Sequence, residues 1–111
     1  MKNICKYYIG NTRKESKSAL EVRNPYNNDV VGVTFLASED DVNDAIRSAV
    51  RAFDETKRMP GFRKAEILDT IKNSLQKRSE EFARQITLES GKPIADARVE
   101  VERAVGTFQL A

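Results

Sequence analysis

Residues 89–111 read ESGKPIADARVEVERAVGTFQLA, and this stretch decides how the chain folds. After Pro93, apolar residues recur at intervals of three and four, which places them on one stripe of an amphipathic helix. The members of that stripe are Ile94, Ala97, Val101, Ala104, Val105, Phe108 and Ala111. No Gly, Asn or Pro follows them as a helix stop signal. We therefore expect a last helix that is cut off, in a chain that is the first part of something larger.

A Gly-Lys-Pro turn separates this helix from a longer one that precedes it. The longer helix is predicted to begin at about Arg63 and to end at Ser90-Gly91, where Gly supplies the left-handed residue. Its inward residues are Ile67, Leu68, Ile71, Leu75, Phe82 and Ile86. Pro93 suits the first turn of the last helix. Lys92 is interpreted as structural, holding the junction between the two helices.

A first helix is predicted after Ser38, which is a favourable N-cap residue. Glu39, Asp40 and Asp41 complement the dipole in its first turn. Its buried stripe is predicted to contain Val42, Ala45, Ile46, Ala49, Ala52 and Phe53. The run Met59-Pro60-Gly61 interrupts the helical pattern before the second helix.

Residues 1–36 are predicted to be extended, with turns at Gly10-Asn11 and at residues 27–29. The strand segments are Tyr7–Ile9, residues 20–23 and residues 30–36, with a polar loop at residues 13–18. The chain alone is therefore predicted to be α+β. Two or three short strands within residues 1–36 precede three helices within residues 38–111, and no complete domain is assured.

Composition excludes several function classes. The 111 residues are 40% hydrophobic and 32% charged, and the net charge of +2 comes from interleaved basic and acidic residues. This balance argues against a nucleic-acid surface, and no apolar run is long enough for a membrane span. The chain has no His and a single Cys, so we expect no metal site. A lone Cys5 also favours a reducing, cytoplasmic location.

Candidate chemical groups are few, and each has a plainer interpretation. The glycines do not form the G-x-G-x-x-G turn of a dinucleotide site. Cys5 has no base nearby in sequence, so an incidental thiol is favoured over a nucleophile. The acidic residues after Ser38 are better explained as helix capping than as paired catalytic carboxylates. Glu100 and Arg103 are spaced to pair on a helix surface, although Arg103 is also able to bind an anionic substrate.

The order of these segments resembles the N-terminal part of the aldehyde dehydrogenase superfamily. The matching segments are Tyr8-Ile9-Gly10-Asn11, Asn24-Pro25, Asn27-Asn28, Val30-Val31-Gly32, Asp41-Val42 with Ala45, Ala49, Ala52 and Phe53, Arg63 with Ala65, Ile67 and Leu68, and residues 89–93 with Ala97, Glu100-Val101, Arg103-Ala104 and Phe108. The sequence of residues 97–103 resembles that of lactaldehyde and non-phosphorylating glyceraldehyde-3-phosphate dehydrogenase-like members. The similarity spans nearly the whole chain.

This resemblance implies an α/β parent enzyme several times longer, in which residues 1–111 begin the cofactor domain. Such an enzyme oxidises an aldehyde to its acid with NAD or NADP and is expected to be a homo-oligomer. A Cys thiolate attacks the aldehyde, and a Glu-activated water hydrolyses the thioester. The family's catalytic and cofactor-binding residues lie beyond the position of Ala111, so none is assigned here. Arg103 aligns with an Arg that helps hold the substrate phosphate in the glyceraldehyde-3-phosphate branch.

Two alternatives remain to the interpretation of this chain as the first part of a dehydrogenase. In the first alternative, the chain is a stand-alone helical interaction module. In the second, it is one half of a split enzyme that reassembles with a separate remainder. An interaction module predicts a specific stoichiometric complex through Val101, Val105 and Phe108. A split enzyme predicts activity only when the two pieces are mixed. For the chain alone we expect no catalysis and no bound cofactor, and the sequence does not name the aldehyde.

Overall fold

The computed structural model describes residues 3–111, and its strands and helices confirm the α+β class. The elements are β1 (Tyr7–Ile9), β2 (Thr12–Lys14), β3 (Ala19–Arg23), β4 (Val30–Phe35), α1 (Glu39–Thr56), α2 (Gly61–Lys77), α3 (Ser79–Ser90) and α4 (Ile94–Leu110). Two residues of the segment predicted to be extended, 1 and 2, lie outside the described residues. The described chain divides into two compact units, residues 3–23 with 28–58 and residues 24–27 with 59–111.

The first unit contains two separate antiparallel hairpins and α1. β1 pairs with β2 across a turn in which Gly10 has a φ of 58°, and β3 pairs with β4 with an irregularity between Val22 and Arg23. A short parallel bridge joins Ile4 to Val33. The predicted polar loop at residues 13–18 is therefore wrong in its first part, because residues 12–14 form β2. Charged strand residues of this kind carry no apolar alternation for a sequence pattern to detect.

Helix α1 begins as its sequence predicts, since the Ser38 hydroxyl accepts the Asp41 N–H at 3.1 Å. The prediction that its apolar stripe is buried is wrong. Val42, Ile46 and Phe53 remain 48%, 55% and 61% exposed. The physical reason is that α1 contacts mainly β1, a strand of three residues that covers little of an 18-residue helix.

The second unit contains three helices where two were predicted. The long helix expected from Arg63 to Ser90 begins at Gly61 and is interrupted at Arg78, whose φ of −108° and ψ of 19° are not helical. The Arg78 guanidinium binds Glu81 through two hydrogen bonds of 2.9 and 2.6 Å and lies 5.0 Å from the centre of the Phe82 ring. These exposed contacts lie at the start of α3, where no Gly or Pro is present, which explains why the sequence gives no sign of the interruption.

The core of the second unit lies where α3 packs against α4. Ala83 and Ala97 are fully buried and Val101 is 4% exposed, with Phe82, Ile86 and Ile94 packed around them. Two of these three buried residues belong to the stripe predicted for the last helix. The small alanines allow the two helix backbones to approach closely. Within residues 3–111, no helix is long and apolar enough to cross a membrane.

Candidate functional site

The turn between α3 and α4 positions the helix that carries Arg103. Gly91 ends α3 with a φ of 74°, and its N–H donates to the Thr87 carbonyl at 2.9 Å, so the predicted left-handed end is confirmed. The Lys92 N–H donates to the Ser90 hydroxyl at 3.2 Å. Pro93 is the N-cap residue of α4, one position before the first helical turn in which it was predicted. The direction of α4 is therefore fixed by local hydrogen bonds.

Gly91 is required here for space as well as for conformation. A Cβ placed on Gly91 would lie 3.1 Å from Cγ of Pro25, which belongs to the same compact unit. That distance is below ordinary van der Waals contact. The two segments that carry the sequence resemblance at Asn24-Pro25 and Gly91-Lys92 are therefore in direct contact.

Gly91→Ala is expected to destabilise the second unit by about 1–2 kcal/mol, because a side chain is strained in the left-handed region. Crowding against Pro25 adds to that cost. The matched control is Gly106→Ala in α4, where a new Cβ meets nothing within 4 Å. That change is expected to stabilise by about 0.5–1 kcal/mol. Urea unfolding followed by circular dichroism measures both; equal shifts of the same sign would contradict this explanation.

Arg103 lies beside a surface depression of about 500 Å³ on α4. The lining residues are Lys92, Asp96, Val99, Glu100 and Arg103. The pairing predicted between Glu100 and Arg103 is wrong, because the Glu100 carboxylate binds the Lys92 ammonium instead. Among residues 3–111, the guanidinium of Arg103 forms no ion pair. The depression thus contains one paired cation and one available cation.

The other candidate groups do not form a catalytic arrangement in the described part of the chain. Cys5 is exposed, and its N–H donates to the Val33 carbonyl at 2.8 Å, which places it at the edge of a small sheet. No group of three or more His, Cys, Asp or Glu residues within 3–111 is arranged to hold a metal ion. Asp41 lies in the first turn of α1, and its N–H is capped by Ser38 as predicted.

Asp41 also takes part in a polar network that the sequence does not reveal. The Tyr7 hydroxyl donates to its carboxylate, and Lys14 lies 3.6 Å from the same group. The bond to Tyr7, with a further one from Ser38, holds the pKa of Asp41 below its ordinary 3.8. The same bond to Asp41, with burial, raises the pKa of Tyr7 above 10.0. Tyr7 and Asp41 are 34 positions apart, so no local pattern links them.

This network predicts a specific pH dependence for the stability of the first unit. Because the pKa of Asp41 is lowered on folding, its stabilisation is complete above about pH 4 and is lost as the pH falls through the folded value. Because the pKa of Tyr7 is raised, its stabilisation is complete below about pH 10 and is lost as the pH rises through the folded value. Tyr7→Phe is therefore expected to lower the urea midpoint most between these limits.

The control for that prediction is Tyr8→Phe, at the neighbouring residue of β1. Tyr8 is 63% exposed and its ring lies 5.7 Å from the Arg13 guanidinium, a contact that phenylalanine keeps. Its difference from the parent is expected to stay constant across the pH range. A Tyr7→Phe difference that is equally constant would show that the hydrogen bond to Asp41 does not contribute.

A second depression lies in the first unit, between β1, the end of β4 and α1. It encloses about 490 Å³ and is mostly apolar. The residues around it are Tyr7, Tyr8, Ile9, Phe35, Ala37, Asp41, Val42, Ala45, Ile46 and Ala49. Sequence reasoning missed it because the predicted stripe of α1 was assigned entirely to a core.

Comparison with known proteins gives the context for these features. The model of the aldehyde dehydrogenase family matches residues 12–111. Lactaldehyde dehydrogenase of Methanocaldococcus jannaschii is 34% identical over 96 residues, which are 86% of this chain and 21% of that protein. The sequence match therefore covers most of this chain and a small part of the relative.

Solved structures give the same result. Aldehyde dehydrogenase 21 from Physcomitrella patens, in complex with the reaction product succinate, matches with a TM-score of 0.94 and 34% identity over 99% of this chain and 23% of that one. A glyceraldehyde-3-phosphate dehydrogenase from M. jannaschii complexed with NADP matches with a TM-score of 0.81 and 34% identity over 87% of this chain and 21% of that one. This chain spans about a fifth of the length of these relatives. It belongs to the aldehyde dehydrogenase family.

Proposed function

We propose that residues 1–111 act as the N-terminal part of an NAD(P)-dependent aldehyde dehydrogenase that oxidises a small hydroxy- or phospho-aldehyde to its carboxylic acid. The family match across residues 12–111 carries this proposal. The substrate class is supported by relatives that are lactaldehyde and glyceraldehyde-3-phosphate dehydrogenases. The proposed partner is the remaining four-fifths of such an enzyme, and the assembled enzyme is proposed to be a homo-oligomer.

The cofactor is assigned to that remainder, because the residues of this chain do not fit a dinucleotide. The one turn that combines a left-handed glycine with a following helix is at Gly91, among the described residues. Pro25 crowds the position where a Cβ of Gly91 would lie, and the Lys92 N–H of the turn is already bonded to the Ser90 hydroxyl. Asp96 also places a negative charge in the first turn of α4, where it would repel a pyrophosphate. A pyrophosphate requires open space and free N–H groups at such a turn. The chain alone is therefore proposed to bind neither NAD nor NADP.

Arg103 is the residue that we propose for substrate binding. Its guanidinium has no ion-pair partner among residues 3–111 and borders the depression on α4. Guanidinium groups bind carboxylate and phosphate through two parallel hydrogen bonds. In the assembled enzyme, Arg103 would then bind the phosphate group of a phospho-aldehyde, whereas a neutral hydroxy-aldehyde offers it no anion.

A split enzyme is the second candidate function. It is favoured over a stand-alone module because Val101, a residue expected to bind the partner of such a module, is buried within this chain. The exposed apolar face of this chain lies on α1. Val42, Ile46, Val50 and Phe53 form an apolar stripe along that helix, and each is about half or more exposed. Stripes of this size are normally covered in a folded protein. A remainder of the enzyme that is encoded separately would cover these α1 residues just as a covalently joined remainder would.

The test joins residues 1–111 to the remainder of the M. jannaschii lactaldehyde dehydrogenase, in place of that enzyme's own N-terminal fifth. Lactaldehyde and glyceraldehyde 3-phosphate are supplied with NAD or NADP, and reduced cofactor is measured. We expect turnover by the joined protein and none by either part alone. Activity on mixing the two parts identifies the split form. Turnover by the 111-residue chain alone, or a folded but inactive joined protein, contradicts the proposal.

A further inference from the structure

We infer that Lys92 is a positioning residue that occupies Glu100 and so keeps the Arg103 guanidinium available for an anionic aldehyde. The inference rests on the proposed function, since it assigns a role to a neighbour of the proposed substrate residue. The interaction concerned is a different one, namely the competition of Lys92 and Arg103 for the Glu100 carboxylate.

The position of Lys92 is fixed by the turn before α4. Its N–H is bonded to the Ser90 hydroxyl, and the preceding Gly91 is packed against Pro25. From this position its ammonium reaches the Glu100 carboxylate, two turns along α4. Both side chains are partly exposed, so the pair is a surface contact between the turn and the helix.

Without Lys92, Arg103 is the natural partner of Glu100. The two are three residues apart on a helix, and ion pairs with this spacing form at five other places on the described helices. Those pairs are Asp44 with Arg47, Asp54 with Lys57, Arg63 with Glu66, Asp69 with Lys72 and Arg78 with Glu81. The spacing of Glu100 and Arg103 is equally suitable, yet Glu100 is bound to Lys92.

The charges around the depression explain why this matters for an anion. A carboxylate paired with Arg103 would occupy the N–H groups that a substrate carboxylate or phosphate needs. It would also place a negative charge beside the incoming anion. The ion pair with Lys92 instead engages the Glu100 carboxylate and offsets its charge.

The first test uses the active joined protein and the variant Lys92→Met. We expect the KM for succinate semialdehyde and for glyceraldehyde 3-phosphate to rise about twofold or more, the change that a surface pair of this spacing produces. The kcat values and the KM for acetaldehyde, which carries no anionic group, are expected to stay unchanged. A rise for only one of the two anionic substrates identifies that anion, carboxylate or phosphate, as the group bound.

The double variant Lys92→Met with Glu100→Gln separates positioning from direct binding. If Lys92 acts through Glu100, the second substitution restores the KM of the parent. If the KM stays high, Lys92 itself contacts the anion and the inference is wrong. Lys64→Met, at an exposed lysine of α2, is the matched control and is expected to change neither parameter.

A second test needs no enzyme activity and uses the 111-residue chain. Hydrogen exchange at the Arg103 Nε–H, measured by NMR, is expected to slow about twofold in Lys92→Met, because Glu100 is released to bind it. The double variant is expected to exchange at the parent rate. An unchanged rate in Lys92→Met overturns the inference. If exchange is slowed but the joined protein is inactive, the competition for Glu100 is supported. Only the proposed function is then contradicted.

Discussion

Replacing Ala97 by Asp is expected to unfold the second unit. Ala97 is fully buried where α3 packs on α4, in a core whose other buried members are Ala83 and Val101. An aspartate there would lose its hydration without gaining a partner, and the larger side chain would separate the helices. The cost is about 3 kcal/mol or more. Because small domains are only marginally stable, this is a large share of the total.

The control for this substitution is Ala95→Asp, which is the same exchange on an exposed position of α4. A carboxylate in the first turn of a helix is favourable, so this variant is expected to match the parent or exceed it slightly. Circular dichroism at increasing urea concentrations measures both. If Ala97→Asp has the same helical signal and urea midpoint as Ala95→Asp, the claim that Ala97 belongs to the buried core is contradicted.

Ile46→Asp is expected to abolish the activity of the joined protein while changing the chain alone very little. Ile46 is 55% exposed in this chain, so an aspartate there remains hydrated. In the proposed enzyme the stripe of α1 packs against the remainder, where an unpaired carboxylate would be buried. Burying such a charge costs several kcal/mol, enough to prevent assembly. Activity of the joined protein and urea midpoints of the 111-residue chain give the two readouts.

Arg51→Asp is the control on the same helix. Arg51 is exposed and lies about 140° around α1 from Ile46, on the opposite side. This substitution is expected to leave the joined protein active, although it changes the net charge more than Ile46→Asp does. Equal activity of the two variants would mean that the apolar stripe of α1 is not a contact with the remainder.

Local signals in the sequence predicted the start of α1 and the end of α3. Ser38 caps α1, and Gly91 ends α3 in the left-handed region, because both roles depend on the residue and its immediate neighbours. The stripe of the last helix is confirmed at Ala97 and Val101, which are buried, but not at Ala111, which is exposed beyond the end of α4. A residue's own chemistry and a short period were sufficient in each case.

Contacts between distant segments could not be predicted in the same way. The carboxylates of Asp41 and Glu100 were assigned to helix capping and to a local pair, whereas the structure adds Tyr7 to the first and gives Lys92 to the second. The interruption at Arg78 has no Gly or Pro to announce it. The burial of α1 was overestimated because periodicity identifies an apolar face without showing what covers it.

The decisive measurement is the mass of the natural polypeptide that carries this sequence, detected in cell extracts with an antibody against residues 3–90. We expect a species several times heavier than the 12.5 kDa of residues 1–111, and aldehyde-dependent reduction of NAD or NADP should co-purify with it. A polypeptide of 12.5 kDa that migrates alone under native conditions, apart from all dehydrogenase activity, would contradict the proposal that these residues work as part of an aldehyde dehydrogenase.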